Sequence, residues 1–219
     1  MTDPTPMAKG KIGVLIEAHF DETEFRRFNE VFPAHGYEVE YLTYLWGQDK
    51  LTFTGNDFTQ EVIVTREISA VDLADYKAFI LVGGYAMDRL RYQEHPRAGE
   101  PNRAPAVEFL RKAVKAMDEG QLKIGAICHA LWLFCAAPET LEGRKVTCAH
   151  NIMGDVQNAK GTLVFAGEQL IDTYVDGNLI TGKHPGVVEE FMQIFLAELQ
   201  KVETKSAAGD GAQLIEGRV

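Results

Sequence analysis

The chain holds 219 residues, 46% of them hydrophobic and 25% charged. That is ordinary usage for one globular domain, long enough for a core that needs no disulfide or metal staple. Its 22 Lys and Arg against 32 Asp and Glu leave a net charge of −10 with no local basic cluster, which argues against nucleic acid and against an anionic membrane surface.

No apolar run reaches the ~18 residues of a membrane span, and the first ten residues lack the apolar stretch of a signal peptide. Cys128, Cys135 and Cys148 form no C-x-x-C pair, as expected in a reducing, cytoplasmic setting. Residues 1–10 read as a flexible start, 11–201 as the domain and 202–219 as a small, polar, disordered tail. Within that tail Ile215-Glu-Gly-Arg218 resembles a protease-recognition sequence.

In chain order, residues 11–16 form an apolar run that predicts a buried strand. Phe25, Phe28 and Phe32 fall at helical spacing between Glu22 and His35, with Gly36 as the stop. Tyr37 to Tyr44 alternates as a strand, and 46–68 reads as a strand excursion turning at Gly55-Asn56-Asp57. Lys77 to Val82 predicts another buried strand, ending at Gly83-Gly84. Residues 93–105, with three prolines, read as an exposed loop.

Ala106 to Met117 is amphipathic, and Leu122 to Ile127 is a strand running straight into Cys128-His129 and a new helical pattern. Lys145–Cys148, Gln169–Val175 and Asn178–Thr181 follow as strands, the last two joined at Asp176-Gly177, and Val187 to Leu199 closes the domain as a helix. Such alternation implies an α/β fold: a mostly parallel sheet with helices on both faces, and a site at the carboxyl ends of its strands. Three strand ends, 17–24, 83–88 and 128–129, carry polar or glycine-rich chemistry.

A cysteine between a buried strand and a helix sits on a sharp turn whose −2 and +2 neighbours must be small, and Ala126 and Ala130 are. The helix start favours a thiolate there, although the same spacing also suits a buried, inert cysteine. Gly83-Gly84 offers backbone without side-chain obstruction, and its N–H with that of His129 would make a two-donor oxyanion hole. Those donors matter more than a low thiol pKa. Lowering it from about 8.5 to about 6 raises the thiolate fraction about 30-fold, of which falling nucleophilicity cancels about 10–18-fold.

Leu81-Val-Gly-Gly-Tyr-Ala-Met-Asp88, Ala126-Ile-Cys-His129, Gly143-Arg-Lys-Val-Thr147 and Tyr174-Val-Asp-Gly-Asn-Leu-Ile-Thr181 occur in that order. Together they resemble the ThiJ/PfpI superfamily, PfpI-like branch, over about residues 11–200 and within the class I glutamine amidotransferase-like, flavodoxin-like sandwich fold. The resemblance implies that Cys128 is the nucleophile and His129 its general base. It implies that Glu24 is the buried acid reaching the sulfur, with Asp21 the alternative, and that Asp88 orients the histidine, in some members from a neighbouring subunit.

Two departures stand out: Ala130-Leu131 replaces the usual Gly-Pro, and Ala149 stands where a Tyr or His is usual, so that His150 is a candidate substitute. Cys135, Cys148, Trp46 and Trp132 read as packing residues. No cofactor motif is present, and no ligand spacing supports a metal among the cysteines and His19, His129 or His150.

The resemblance implies a cysteine hydrolase acting on small reactive carbonyls such as methylglyoxal, or on glycated amines (glyoxalase III- or deglycase-like). An intracellular peptidase is the alternative. A redox-sensing stress protein that uses an oxidisable Cys128 is the alternative of another class, and a catalytically silent member is the plainest. A small-molecule carbonyl or a peptide is the expected partner, with homo-oligomerisation as a dimer or higher.

Overall fold

The structure is a computed structural model that describes residues 9–213, with side chains as far as Lys201. The start of the chain before Lys9 and the Ile215–Arg218 sequence therefore lie outside the described residues.

Thirteen strands and six α-helices follow one another among the described residues. The chain begins with β1 (Gly10–Leu15), α1 (Glu22–Ala34) and β2 (Tyr37–Thr43). The excursion is a hairpin, β3 (Leu51–Thr54) with β4 (Glu61–Val64), followed by the short β5 (Arg66–Glu67). Next come β6 (Tyr76–Leu81), α2 (Ala86–Leu90), α3 (Pro105–Asp118) and β7 (Lys123–Ile127). The pattern after His129 yields a single turn, α4 (Trp132–Cys135), rather than a long helix.

Then follow β8 (Lys145–Val146), α5 (Met153–Asn158), β9 (Thr162–Leu163), β10 (Phe165–Ala166) and β11 (Gln169–Leu170). The chain closes with β12 (Thr173–Asp176), β13 (Leu179–Gly182) and α6 (Val188–Gln213). The expected strand over Gln169–Val175 is two strands: β11 pairs back to β10, while β12 and β13 make the hairpin at Asp176-Gly177. The closing helix runs on past Leu199 to Gln213, into the segment that composition assigns to a tail. Glu203, Lys205, Ala207 and Ala208 there are good helix formers.

Seven strands make the central sheet in the order β12-β13-β7-β6-β1-β2-β5, parallel except for β12. Alternation along β6 sends its side chains to opposite faces. Phe79 meets Phe109 of α3, with ring centroids 5.0 Å apart. Its neighbour Ile80 pairs in register with Gly125 on the other face, where a β-carbon on Gly125 would lie 2.9 Å from Phe195 and 3.0 Å from Phe191 of α6. Helices α1 and α6 thus pack together on one face, and α2, α3 and α4 on the other. Among the described residues no helix is long and apolar enough to cross a membrane.

Candidate active site

The carboxyl ends of β1, β6 and β7 meet as their sequences suggest. Cys128 follows β7 with φ of 60°, a left-handed conformation that costs a non-glycine residue about 1–3 kcal/mol and persists only where the surroundings enforce it. Two contacts enforce it here: the Cys128 N–H donates to the Gly182 carbonyl (2.8 Å), and the Cys128 carbonyl accepts from Ala149 N–H (3.1 Å). Ala130 keeps a negative φ and donates to Ile127 O (3.0 Å), so the turn tolerates its β-carbon where the family's Gly-Pro is missing.

His129 turns back over the nucleophile, with Nδ1 3.1 Å from Cys128 Sγ. Burial lowers the imidazole pKa; the Asn151 side chain and the Asp21 charge oppose that, and His150 and His184 reinforce it. A neutral imidazole beside a thiol is a base ready to take its proton.

Glu24, fully buried on the first turn of α1, comes in from the opposite side. Its Oε2 accepts from Gly83 N–H (2.6 Å), while its Oε1 is buried without a hydrogen-bond partner. A β-carbon on Gly83 would lie 2.7 Å from that oxygen and 2.8 Å from the β-carbon of Cys128, so only glycine lets carboxyl and nucleophile approach. Burial first, then the Asp21 charge, raise the Glu24 pKa well above the carboxylate range, against the Gly83 N–H. Burial and the Asp21 charge thus favour the neutral carboxylic acid form of Glu24.

The expectation that the turn alone would favour a thiolate needs correction. Cys128 is 5% exposed. Burial, then the Glu24 and Asp21 carboxyls, push the thiol up, and only the N–H groups of His129 and Gly84 facing the sulfur pull it down. The one-turn α4 begins at Trp132 and adds little dipole. The two N–H groups are the expected oxyanion donors. Gly84 sits at φ of 69° under the 18–21 loop, bridged to Phe20 through Asp21 N–H to Gly83 O (3.3 Å) and Tyr85 N–H to His19 O (2.9 Å), so that its own N–H is left for the sulfur.

Asp21 caps α1, accepting from the N–H groups of Thr23 and Glu24 at 3.0 Å each, and thereby orients the turn that carries Glu24. Within one chain Asp88 lies away from His129, so an orienting role for it would be the one supplied from a neighbouring subunit. Its carboxylate accepts from Arg91 Nε (2.9 Å) and borders a cleft of about 530 Å³ with Glu17, Trp46 and Tyr92, so within one chain it does not orient His129. His150 is exposed, on a neighbouring cleft of about 340 Å³ shared with Cys148, Lys183 and His184.

Sequence reasoning missed three contributors. Asn56, in the β3–β4 turn, accepts from Glu22 N–H (3.3 Å) and so ties that hairpin to the start of α1. Tyr85 and Trp132 flank the imidazole, with ring centroids 6.3 and 4.8 Å away. The spacing of His129 and Trp132, three apart on a helical turn, could have signalled the second.

With this geometry in place, comparison with known proteins is direct. The sequence profile of the DJ-1/PfpI family matches residues 10–198. General stress protein 18 of Bacillus subtilis is 28% identical over 194 residues, covering 87% of this chain and 98% of that protein. Protein/nucleic acid deglycase 2 of Escherichia coli is 30% identical over 181 residues, covering 83% and 92%. A two-domain protein of Anabaena variabilis, containing DJ-1/ThiJ/PfpI-like and ferritin-like domains, superposes with a TM-score of 0.72 at 24% identity over 88% of this chain. The present chain spans only 48% of that protein, and the likeness is one of fold. The chain belongs to the DJ-1/PfpI family.

Proposed function

We propose that the protein is a cysteine-nucleophile enzyme acting on small reactive carbonyls and their amine adducts. The observation that carries this reading is the 3.1 Å contact between Cys128 Sγ and His129 Nδ1 on an enforced left-handed turn, with two backbone N–H groups facing the sulfur. A raised thiol pKa suits a base that takes the proton only as the S–C bond forms.

In this reading the Sγ–H proton passes to His129 while sulfur bonds to the aldehyde carbon, and the carbonyl electron pair moves to oxygen between the Gly84 and His129 N–H groups. His129 returns its proton to the alkoxide, then carries the aldehyde C–H proton to the adjacent carbonyl carbon while the hydroxyl proton passes to that carbonyl's oxygen, which turns the hemithioacetal into a thioester. Water cleaves that ester to a 2-hydroxy acid and restores the thiol. With a hemiaminal of the same aldehyde, the C–N bond breaks as S–C forms, and the amine leaves with the proton that His129 took. A deglycase among the relatives supports the second course, and a thiol exposed by only 5% favours a small carbonyl over a peptide chain.

One observation favours a second reading, redox sensing: a protonated Glu24 with an unpartnered Oε1 lies beside the sulfur and could donate to an oxidised Cys128. Incubation with methylglyoxal, following the 2-hydroxy acid released, separates the two. Catalytic release that is lost in Cys128→Ala is expected. Absent turnover, with stoichiometric oxidation of Cys128 by peroxide, would overturn the enzyme reading in favour of the sensor.

A further inference from the structure

His129 must be held. Its Nδ1 faces Cys128, and an imidazole free to rotate about χ1 and χ2 would lose that contact for much of the time. Within one chain the acidic residue expected to orient it, Asp88, is bonded to Arg91. What packs on the ring is Trp132, one helical turn on, with centroids 4.8 Å apart and planes inclined by 37°.

The indole is fixed in turn from two further elements. Its Nε1–H donates to Asp155 of α5 at 3.0 Å. The Arg91 guanidinium, just after α2, lies 5.5 Å from the ring centroid, within the range of a cation–π contact, and Asp88 holds that guanidinium. Tyr85 is the other aromatic neighbour, but its ring lies 6.3 Å from the imidazole and is 59% exposed. It therefore shields the imidazole less.

We propose that Trp132 is the positioning residue of His129: it holds the imidazole against Cys128 and keeps water from it, with Asp155 and the Asp88–Arg91 pair anchoring the indole. Within one chain Asp88 thus serves the histidine at two removes. The inference rests on His129 being the base for Cys128, and it adds which side chains make that base usable. The charged and titratable groups around the imidazole are the Asp21 carboxylate, the His150 and His184 imidazoles and the Cys128 thiol, with the Tyr85 phenol beside it. None of these bonds to Trp132; of the charges that hold the indole, Arg91 and Asp155, the Asp155 carboxylate loses its bond equally in Trp132→Phe, which separates that loss from the loss of the ring.

The test uses the full chain and needs no substrate. The His129 titration is followed by NMR of ¹³C-labelled imidazole, and the rate of Cys128 alkylation by iodoacetamide is read peptide by peptide across pH. In Trp132→Ala water reaches the ring, so the His129 midpoint rises toward that of a free imidazole. Cys128 alkylation near pH 7 slows by up to about 100-fold as the Nδ1–Sγ alignment is lost. Trp132→Phe, which keeps a ring on the imidazole but cannot donate to Asp155, stays close to the parent in both readouts.

Should Trp132→Ala lose its fold by circular dichroism, Trp132→Leu takes its place with the same expectation. A folded Trp132→Ala or Trp132→Leu protein whose His129 midpoint and Cys128 rate match the parent overturns the proposal. Because neither readout involves turnover, a protein that consumes no carbonyl yet shows these shifts refutes the enzyme reading and leaves the role of Trp132 standing.

Discussion

At the amino end of the sheet, polar groups pair with one another, the buried Lys123 among them. Lys123, at the start of β7, donates to Glu198 (3.3 Å) and Asn178 (3.1 Å), and Tyr76 and Lys11 share the Glu40 carboxylate. At the carboxyl end of the same strands, Glu24 keeps an orphan oxygen, Cys128 sits at positive φ, and a thiol and an acid crowd against a glycine. Matched charges secure a fold. Strained and unmatched groups persist only where the surrounding structure enforces them, which is why they mark chemistry.

The sharpest way to break this contrast is to remove the nucleophile. Cys128→Ala is expected to lower carbonyl turnover by at least about 1000-fold. Cys148→Ala should leave it intact, because that thiol is fully buried, off the left-handed turn and, among the described residues, hydrogen-bonded to no imidazole. Equal losses in steady-state assays of the two variants would show that the turn geometry does not select the reactive cysteine.

The converse test is at the other end. Glu198→Ala leaves buried Lys123 with Asn178 alone, at a cost of about 3–5 kcal/mol, read as a lower urea midpoint. Cys128 alkylation in the folded protein should not change. Between these two lies Gly84→Ala. Its β-carbon would stand 2.3 Å from the His19 carbonyl at φ of 69°, displacing one oxyanion donor and costing about 100–1000-fold in kcat. A variant that keeps its kcat would remove Gly84 from the site.

Local patterns made most of this legible. Hydrophobic runs marked β1, β6 and β7, and Ala126 and Ala130 around Cys128 marked the sharp turn. What was hidden depends on the third dimension. The Asp88–Arg91 pair, three apart on a helical turn, is itself a spacing the sequence signals; what the order of residues does not say is how far that turn lies from His129 within one chain. Burial of Cys128 between two carboxyls overrides the local N-terminal dipole from which a thiolate was expected. Helix α4 is shorter than its apolar pattern because Pro138 breaks the chain soon after Cys135. Asn56 reaches the site only because a hairpin folds over a loop about 35 residues away in sequence.

Glu24→Gln is expected to have the smallest effect and the clearest sign. Burial and Asp21 hold the native carboxyl protonated well above the usual range, while the unfolded chain ionises within it. Between those two values the native state carries one more proton than the unfolded state, so stability is greatest below the ordinary carboxylate pKa. It declines as pH rises toward the native value, at no more than about 1.4 kcal/mol per pH unit. Glutamine keeps an acceptor for the Gly83 N–H and has no proton to lose. Urea midpoints measured from pH 5 to 8 should therefore fall for the parent and stay flatter for Glu24→Gln, the two converging at the acid end. Parallel curves would mean that Glu24 is ionised in the folded protein, and the carboxyl end of the sheet would then hold a matched charge after all.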